Sequence, residues 1–359
     1  MINVTRTFFP PFTDYVAQLE RVWKNEWITN RGKLVVELEE KLKARLRLGH
    51  LLFVNNGTIA LQIAIKALDL GGKKIITTPF SYVATTSSIV WEGCEPVFAD
   101  IDPRTLTLDP SSVEKLIDKD TKAILATHVY GYPCDIVAIE SIAKKYKLKV
   151  IYDAAHCFGV ELRGKSLLAY GDISTCSFHA TKLFHTGEGG AIVVNDAALE
   201  NKVFYMHNFG HKGPEEFQGV GVNGKSSELH AAMGLAVLPY VDKIMERRCE
   251  LSNLYDRLLA GLPLTRPTVP ADVKYNYAYY PVVFDDERSM TKVKETLNAH
   301  DIFPRRYFFP SLSHLSYVKS TPTPVSDSIA TRVLCLPLSY ELRDDEVETI
   351  ASAMRAALA

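Results

Sequence analysis

The sequence predicts an α/β fold: a mostly parallel central sheet with helices on both faces, followed by a smaller α+β unit. Three observations predict it. Seven short apolar runs alternate with amphipathic stretches between about residues 35 and 200. Strands that alternate with helices are joined by right-handed crossovers, which sets neighbours parallel and covers both sheet faces. After about residue 235 the alternation gives way to one long helical stretch and a few scattered strands. A chain of 359 residues is also long for a single core, so a large unit with a smaller companion is expected. The division is placed between residues 1–238 and 239–359.

Taken in order, Val36–Leu46 reads as a helix packed outside the sheet. The strand-like runs are Leu51–Val54, Ile75–Thr77, Pro96–Phe98, Ala123–Ala126, Val150–Tyr152, Thr175–Phe178 and Ala191–Val194. Between them, apolar residues recur every three or four positions, as in Ile59/Ile63/Leu68 and Ile136/Ile139/Ile142/Ala143, which is the helical period. Phe209–Ser227, rich in Gly and polar residues, predicts a long loop, and loops of that length usually carry function or disorder. In the second unit Val241, Met245, Leu251, Leu254 and Leu258 mark a helix within Pro239–Leu262. A strand-like Tyr277–Phe284, a helix-like Thr291–His300, an apolar piece at Val333–Leu336 and a terminal helix from about Asp344 follow. No Gly/Ser-rich linker separates the two units, so they are expected to be fused rather than tethered. There is no internal repeat.

Composition removes several classes of function. With 47% apolar and 23% charged residues and a net charge of −1, the chain is an ordinary globular one. Its Lys and Arg are dispersed, which argues against nucleic acid or an anionic membrane as the main partner. The six cysteines are scattered, with no CxxC pair, as in reduced intracellular thiols, and no metal-like spacing is present. The start, MINVTRTFFPPFTDYV, lacks a signal peptide's basic end and apolar run, and no apolar stretch reaches membrane-spanning length. The expected location is the cytoplasm.

Four local features are able to carry chemistry. Asn55-Asn56-Gly57-Thr58 lies between a strand and a helix, where free N–H groups and the positive dipole end suit a phosphate. Alone, such a turn is commonly just a cap. Neither GxGxxG nor GxxxxGK[ST] occurs, so the dinucleotide and P-loop readings lose their support. Asp153-Ala154-Ala155-His156 follows an apolar strand, at the sheet edge where α/β folds bind ligands, though an Asp there also suits a helix cap. Ser177-Phe178-His179-Ala180-Thr181-Lys182 precedes Gly187-Glu188-Gly189-Gly190 and places a lysine between a strand and a glycine-rich turn. Such a lysine can form a Schiff base with an aldehyde if desolvation lowers its pKa, whereas most lysines are merely solvated. The fourth feature, Gly221-Val222-Asn223-Gly224-Lys225 entering a helix near Glu228, is by itself a common structural device.

The order NNGTIAL, TTPFSYVATTSSIVWEGCEPVFADID, YDAAHCFGV, SFHATKLFHTGEGGAIV and GVNGKSSELHAAMG resembles the DegT/DnrJ/StrS family of sugar aminotransferases. The resemblance covers almost the whole chain and is densest over residues 50–240. It implies the aspartate-aminotransferase type of fold (pyridoxal-phosphate fold type I), pyridoxal 5'-phosphate (PLP) as cofactor, and a homodimer with sites at the interface. By motif, Lys182 is the Schiff-base lysine and Asp153 pairs with the pyridinium nitrogen. Gly57, Thr58 and Ser177 hold the phosphate, Asn223 reaches it from the other subunit, and Tyr82 stacks on the ring. His156 stands where many relatives have Gln.

The reaction implied moves an amino group from L-glutamate to a nucleotide-linked keto-sugar in two half-reactions, with Lys182 as the proton-transferring base and acid. The segments SYVATTSSIVWEGC, SFHATKLFHTGEGG and IFPRRYFFPSL resemble the subgroup acting on dTDP-4-keto-6-deoxy-D-glucose, which supplies 4-amino-4,6-dideoxy sugars for O-antigen and other surface polysaccharide. Arg305 and Tyr307, with Arg306, are suited to a nucleotide diphosphate, or to a plain solvated basic turn; His179 is a further substrate candidate. Amination at C3 is the nearest alternative. A PLP-dependent sugar dehydratase would have its lysine replaced, and Lys182 is present. A regulatory binding protein on the same fold finds no helix-turn-helix extension or basic tail here.

Overall fold

The computed structural model describes residues 1–359. In chain order the first half runs β1 (Ile2–Asn3), α1 (Phe12–Asn25), α2 (Lys33–Leu46), β2 (His50–Val54), α3 (Gly57–Ala67), β3 (Lys74–Thr77), α4 (Val83–Trp91), β4 (Glu95–Phe98), α5 (Pro110–Lys115) and β5 (Thr121–Thr127). Then come α6 (Ile136–Tyr146), β6 (Lys149–Asp153), β7 (Glu161–Leu162), β8 (Lys165–Ser166), β9 (Ile173–Ser177), β10 (Gly190–Val194), α7 (Ala197–Met206) and α8 (Glu228–Val237). The remainder is α9 (Val241–Leu258), β11 (Leu264–Thr265), β12 (Val273–Lys274), β13 (Tyr280–Phe284), α10 (Glu287–Ala299), β14 (Ile302–Phe303), α11 (Pro324–Arg332), β15 (Val333–Leu336) and α12 (Asp344–Leu358).

All seven expected strands join one sheet, in the order β2-β10-β9-β6-β5-β3-β4. Alternate residues feed opposite faces, as the two-residue period of a strand requires. Leu51 and Phe53 belong to the core that α2, α6 and α8 also line, whereas Leu52 and Val54 belong to the one that α3, α4 and α7 line. Every neighbouring pair from β9 to β4 is parallel, while β10 is antiparallel to both β9 and β2. The reversal follows from the β9–β10 connection, residues 178–189, which contains no crossover helix and lets the chain double back.

Helix α2 begins at Gly32, which offers no side-chain cap. The buried Glu228 carboxylate at the head of α8 takes over, accepting from the N–H groups of Leu34 at 2.8 Å and Val35 at 2.9 Å. A negative group at a helix N-terminus satisfies otherwise free donors and complements the dipole. The segment Phe209–Ser227, expected as a loop, folds back on itself: Phe209 N–H donates to Val222 at 3.1 Å and Gln218 N–H to Gly210 at 2.7 Å.

A separate core forms where α9, α10 and α12 cover β13 and β15, with β11 on the other side of β13. Helix α9 reaches both cores, since Val241 and Ile244 belong to the first and Leu251 and Tyr255 to the second. The two-residue strand β1 pairs in parallel with β14, Ile2 opposite Ile302, so the N-terminus sits against this second core. Strand β13 begins at Tyr280 rather than at Tyr277 as expected. Tyr277 is in the left-handed region (φ 53°), and the buried Arg248 of α9 binds the carbonyls of Tyr277 and Ala278 at 3.3 and 3.0 Å. Those carbonyls are therefore directed away from the sheet ladder. No helix is long and apolar enough to cross a membrane.

Candidate active site

The parallel strands bring the chemistry-bearing motifs to one edge. Asp153 is the last residue of β6, Ser177 the last of β9, and Val54 at the end of β2 leads into α3. Asn56 caps α3 by accepting from Ile59 N–H at 2.8 Å. The N–H groups of Gly57 and Thr58, in the first turn, have no intrahelical acceptor. The turn lies hard against its neighbours: a Cβ on Gly57 would stand 3.1 Å from Ser177 Cβ, and one on Gly190 only 2.6 Å from the Asn56 carbonyl carbon. The glycine-rich turn thus serves close approach of β10 to the helix entry.

Lys182 lies beyond β9, lining a small enclosed pocket with His156, Ser177 and Tyr279. Its side chain makes no ion pair. The Nζ atom sits 5.9 Å from the centre of the Tyr279 ring. Burial lowers its pKa, opposed by the Asp153 charge, so the free amine is more accessible than in an exposed lysine. Asp153 is buried, and desolvation raises its pKa. Thr85 Oγ1, which donates to Asp153 Oδ2 at 2.7 Å, and Ala155 N–H, which donates to Oδ1 at 3.2 Å, pull it back down. Behind Thr85 runs a buried hydroxyl chain: Thr85 and Ser81 share a hydrogen bond of 2.8 Å, and Thr127 donates to Ser81 at 3.1 Å.

His156 is also buried. Its Nδ1 accepts from Tyr130 N–H at 3.0 Å, which leaves Nε2 as the protonated nitrogen of the neutral ring. Desolvation, then the Lys182 charge, hold its pKa well below the ordinary value. Tyr279 meets the ring edge-on at 4.9 Å and Phe308 lies parallel to it at 6.0 Å. The backbone here is clamped by a distant residue: buried Asn276 donates to the carbonyls of His156 at 2.8 Å and Phe158 at 2.9 Å.

A wider cleft of about 520 Å3 opens beside this pocket and holds Tyr82, Arg305 and Tyr307. Tyr82 precedes α4 and is 60% exposed, its ring uncovered by the chain's own residues. Tyr307 meets Tyr279 edge-on at 5.7 Å. His179 lines neither space: its Nδ1 shares a hydrogen bond with Thr181 Oγ1 at 2.8 Å, and its Nε2 stands 3.7 Å from Glu188. Asn223 has an exposed side chain while its carbonyl accepts from Asn55 Nδ2 at 3.2 Å. Thr85, Ser81, Asn276 and Tyr279 were not picked out by sequence reasoning. The first two stand four residues apart in SYVAT, the only local signal they leave.

The model of the DegT/DnrJ/EryC1/StrS aminotransferase family matches residues 13–355. The chain belongs to this family. The dTDP-4-amino-4,6-dideoxy-D-glucose transaminase of Shigella dysenteriae is 41% identical over 99% of this chain and 98% of its own. The Escherichia coli protein of the same name is 36% identical over 98% of each. Among solved structures, DesI in the presence of its TDP-sugar product superposes with a TM-score of 0.94 at 31% identity, covering 99% of this chain and 93% of that one. This DegT/DnrJ/EryC1/StrS member is a PLP-dependent transaminase of the aspartate-aminotransferase fold type. Its residues fit the cofactor. Free helical N–H groups beside Ser177 suit a phosphate dianion, Lys182 is a desolvated amine with no acid of its own, and Asp153 is a buried carboxylate whose partner can be a ring N–H.

Proposed function

We propose that this enzyme transfers an amino group from L-glutamate to dTDP-4-keto-6-deoxy-D-glucose, giving dTDP-4-amino-4,6-dideoxy-D-glucose for surface polysaccharide such as O-antigen. The observation that carries the reaction is the desolvated, acid-free Lys182 beside buried Asp153, with the α3 entry a short way off. The 41% identity to a transaminase of that name, spread over 99% of the chain, supports the sugar and the C4 position.

PLP, when bound, supplies a ring that takes up the electron pair released as the amino-bearing carbon loses its proton. Lys182 is its covalent anchor and, once displaced, a free amine that removes and returns that proton. Asp153 holds the proton on the ring nitrogen, and Thr85 keeps the carboxylate ionised for that task. His156, fixed by Tyr130 N–H, offers its Nε2–H as a donor to the ring. Gly57, Thr58 and Ser177 bind the phosphate, and the uncovered Tyr82 ring is free to stack on the cofactor. Arg305 and Tyr307 are assigned to the nucleotide-linked substrate, as is His179, which would have to reach it from outside the cleft.

The same reading includes a homodimer in which Asn223 completes the partner's phosphate site. Its support is a set of exposed apolar side chains in two regions, Phe9, Phe12, Trp23, Trp27 and Ile28 near the N-terminus and Phe209, Phe217, Val220 and Val222 in the folded-back segment. Apolar exposure on that scale marks an interaction surface. It also includes the division into residues 1–238 and 239–359, supported by the separate core of the second unit, and a cytoplasmic location, in keeping with six free cysteines.

The test is spectroscopic. Added PLP should give a visible band that glutamate converts to the pyridoxamine form and that Lys182→Ala lacks. Addition of dTDP-4-keto-6-deoxy-D-glucose should restore the band and yield the amino sugar by mass. A band that glutamate leaves unchanged would refute glutamate as the amino donor, and restoration only by a 3-keto sugar would refute the C4 assignment.

A further inference from the structure

The buried hydroxyls behind Asp153 form a row whose direction is forced. A Ser or Thr hydroxyl has one proton to donate and lone pairs with which to accept. Thr85 gives its proton to Asp153 Oδ2 at 2.7 Å, so in its 2.8 Å bond with Ser81 it is the acceptor. Ser81 then has no proton left and must accept, at 3.1 Å, from Thr127. Thr127 Oγ1 makes no other hydrogen bond, so the row begins there. Three elements supply it: Thr127 ends β5, Ser81 lies just ahead of α4, and Thr85 is in the first turn of α4. All three residues are buried, which leaves little access for water.

This order holds only while Asp153 is ionised. A proton on Oδ2 would reverse every bond in the row and leave the Thr127 hydroxyl buried without an acceptor, which costs free energy. A proton on Oδ1 would weaken the acceptor of Ala155 N–H, which stands at 3.2 Å. Hydrogen bonds in series polarise one another, so each hydroxyl strengthens the next. Lys182 supplies the charge that acts on Asp153; the thiols of Cys134, Cys157 and Cys176, which also face it, are kept protonated by burial.

We infer that Ser81 and Thr127 are positioning residues of the reaction: through Thr85 they hold Asp153 ionised, so that the proton between carboxylate and cofactor stays on the ring nitrogen. This rests on the assignment of Asp153 to that nitrogen. Desolvation favours the opposite arrangement, a neutral carboxylic acid facing an unprotonated ring, which would weaken the ring as an electron acceptor. The row opposes it in a graded way. Thr85 acts directly, Ser81 through Thr85, and Thr127 through Ser81 alone.

The experiment uses the enzyme loaded with PLP isotopically labelled at the ring nitrogen. Nuclear magnetic resonance reads the protonation of that nitrogen, and rapid mixing reads the rate and half-saturation of the glutamate half-reaction. Ser81→Ala should move the nitrogen signal towards the unprotonated value and slow the half-reaction about 3- to 10-fold, with half-saturation changed by less than about 2-fold. Thr127→Val should do the same to a smaller extent, and Thr127→Ser, which puts the hydroxyl back, should recover the wild-type values. Because Thr127 acts only through Ser81, the double variant Ser81→Ala/Thr127→Val should match Ser81→Ala. Should Ser81→Ala not fold, the two Thr127 variants decide by the same nitrogen signal. Effects that multiply in the double variant, or a nitrogen signal that no substitution moves, would overturn the inference. A wild-type ring nitrogen without a proton would overturn it together with the Asp153 assignment. A protonated nitrogen that shifts as stated, in an enzyme that glutamate leaves unreacted, would uphold it and remove only the donor.

Discussion

Asn276 is the residue whose replacement is expected to do most damage for its size. It is buried, far from Lys182 in sequence, and its Nδ2 donates to two carbonyls, those of His156 and Phe158, while its Oδ1 accepts from Ala278 N–H at 3.1 Å. Asn276→Ala strips the donors from two buried carbonyls and the acceptor from one N–H. At about 1–3 kcal/mol for each buried polar group left unpaired, with partial relaxation, the loss is about 2–4 kcal/mol. Asn276→Asp keeps the shape and the acceptor but turns a carboxylate oxygen towards both carbonyls. It should therefore be worse than Ala by roughly a further 2 kcal/mol, or unfold with an added proton uptake. Urea midpoints at pH 7 with PLP present would measure both variants, and the cofactor band would report whether His156 has moved. An Asp variant as stable as the wild type, or milder than Ala, would refute the claim that the amide donor holds this segment.

Two further outcomes follow from the same geometry. Thr85→Val removes the hydroxyl that donates to Asp153, a hydrogen bond to a charged group of about 1.5–3 kcal/mol, so the Asp153 pKa should rise and PLP affinity fall at least 10-fold; unchanged affinity would detach Thr85 from the cofactor site. His128 is fully buried, stacked on Tyr152 at 4.5 Å, and desolvation lowers its pKa to about 3. Between about 3 and the ordinary value of 6.5 the unfolded chain binds a proton there that the native one does not, so stability is lost as pH falls through that window. His128→Asn, which keeps an acceptor near Cys134 N–H, should remove about 2 kcal/mol of the stability difference between pH 6.5 and 5 in urea titrations. A pH slope equal to the wild type would show that the imidazole is not held neutral.

What could be read beforehand depended on whether the information was local. All seven sheet strands stand out because both faces are buried, which leaves continuous runs such as Ala123–Ala126. A buried strand does not record its direction, so the reversal of β10 had no signature of its own. Helices α1 and α7 were not anticipated. Each buries a single residue, Val22 or Val203; α7 has no single apolar stripe, whereas α1 does space Tyr15, Leu19 and Val22 at the helical period and its signal was available in the sequence. At the site, Lys182, Asp153, Ser177 and Gly57 were legible because each sits in a compact motif at a strand end. Asn276 was not: it acts across 120 residues, and an isolated Asn among tyrosines looks like any loop residue. The Thr85–Ser81–Thr127 chain was hidden for the same reason, since hydroxyls declare their partners only in three dimensions.

The pairing of β1 with β14, reinforced where Leu338 N–H donates to the Val4 carbonyl at 3.0 Å, has a consequence for the order of assembly. Residues that leave the ribosome some 300 positions before their partners belong to the part of the molecule finished last. At ordinary rates of synthesis the gap from Ile2 to Ile302 corresponds to roughly 15–60 s. For that interval the apolar N-terminal arm, with Val4 and Phe8, stays exposed to water without its final berth, and it is then open to chaperones or to another nascent chain. A bulky fusion at the N-terminus would therefore disturb the last step of folding more than the first.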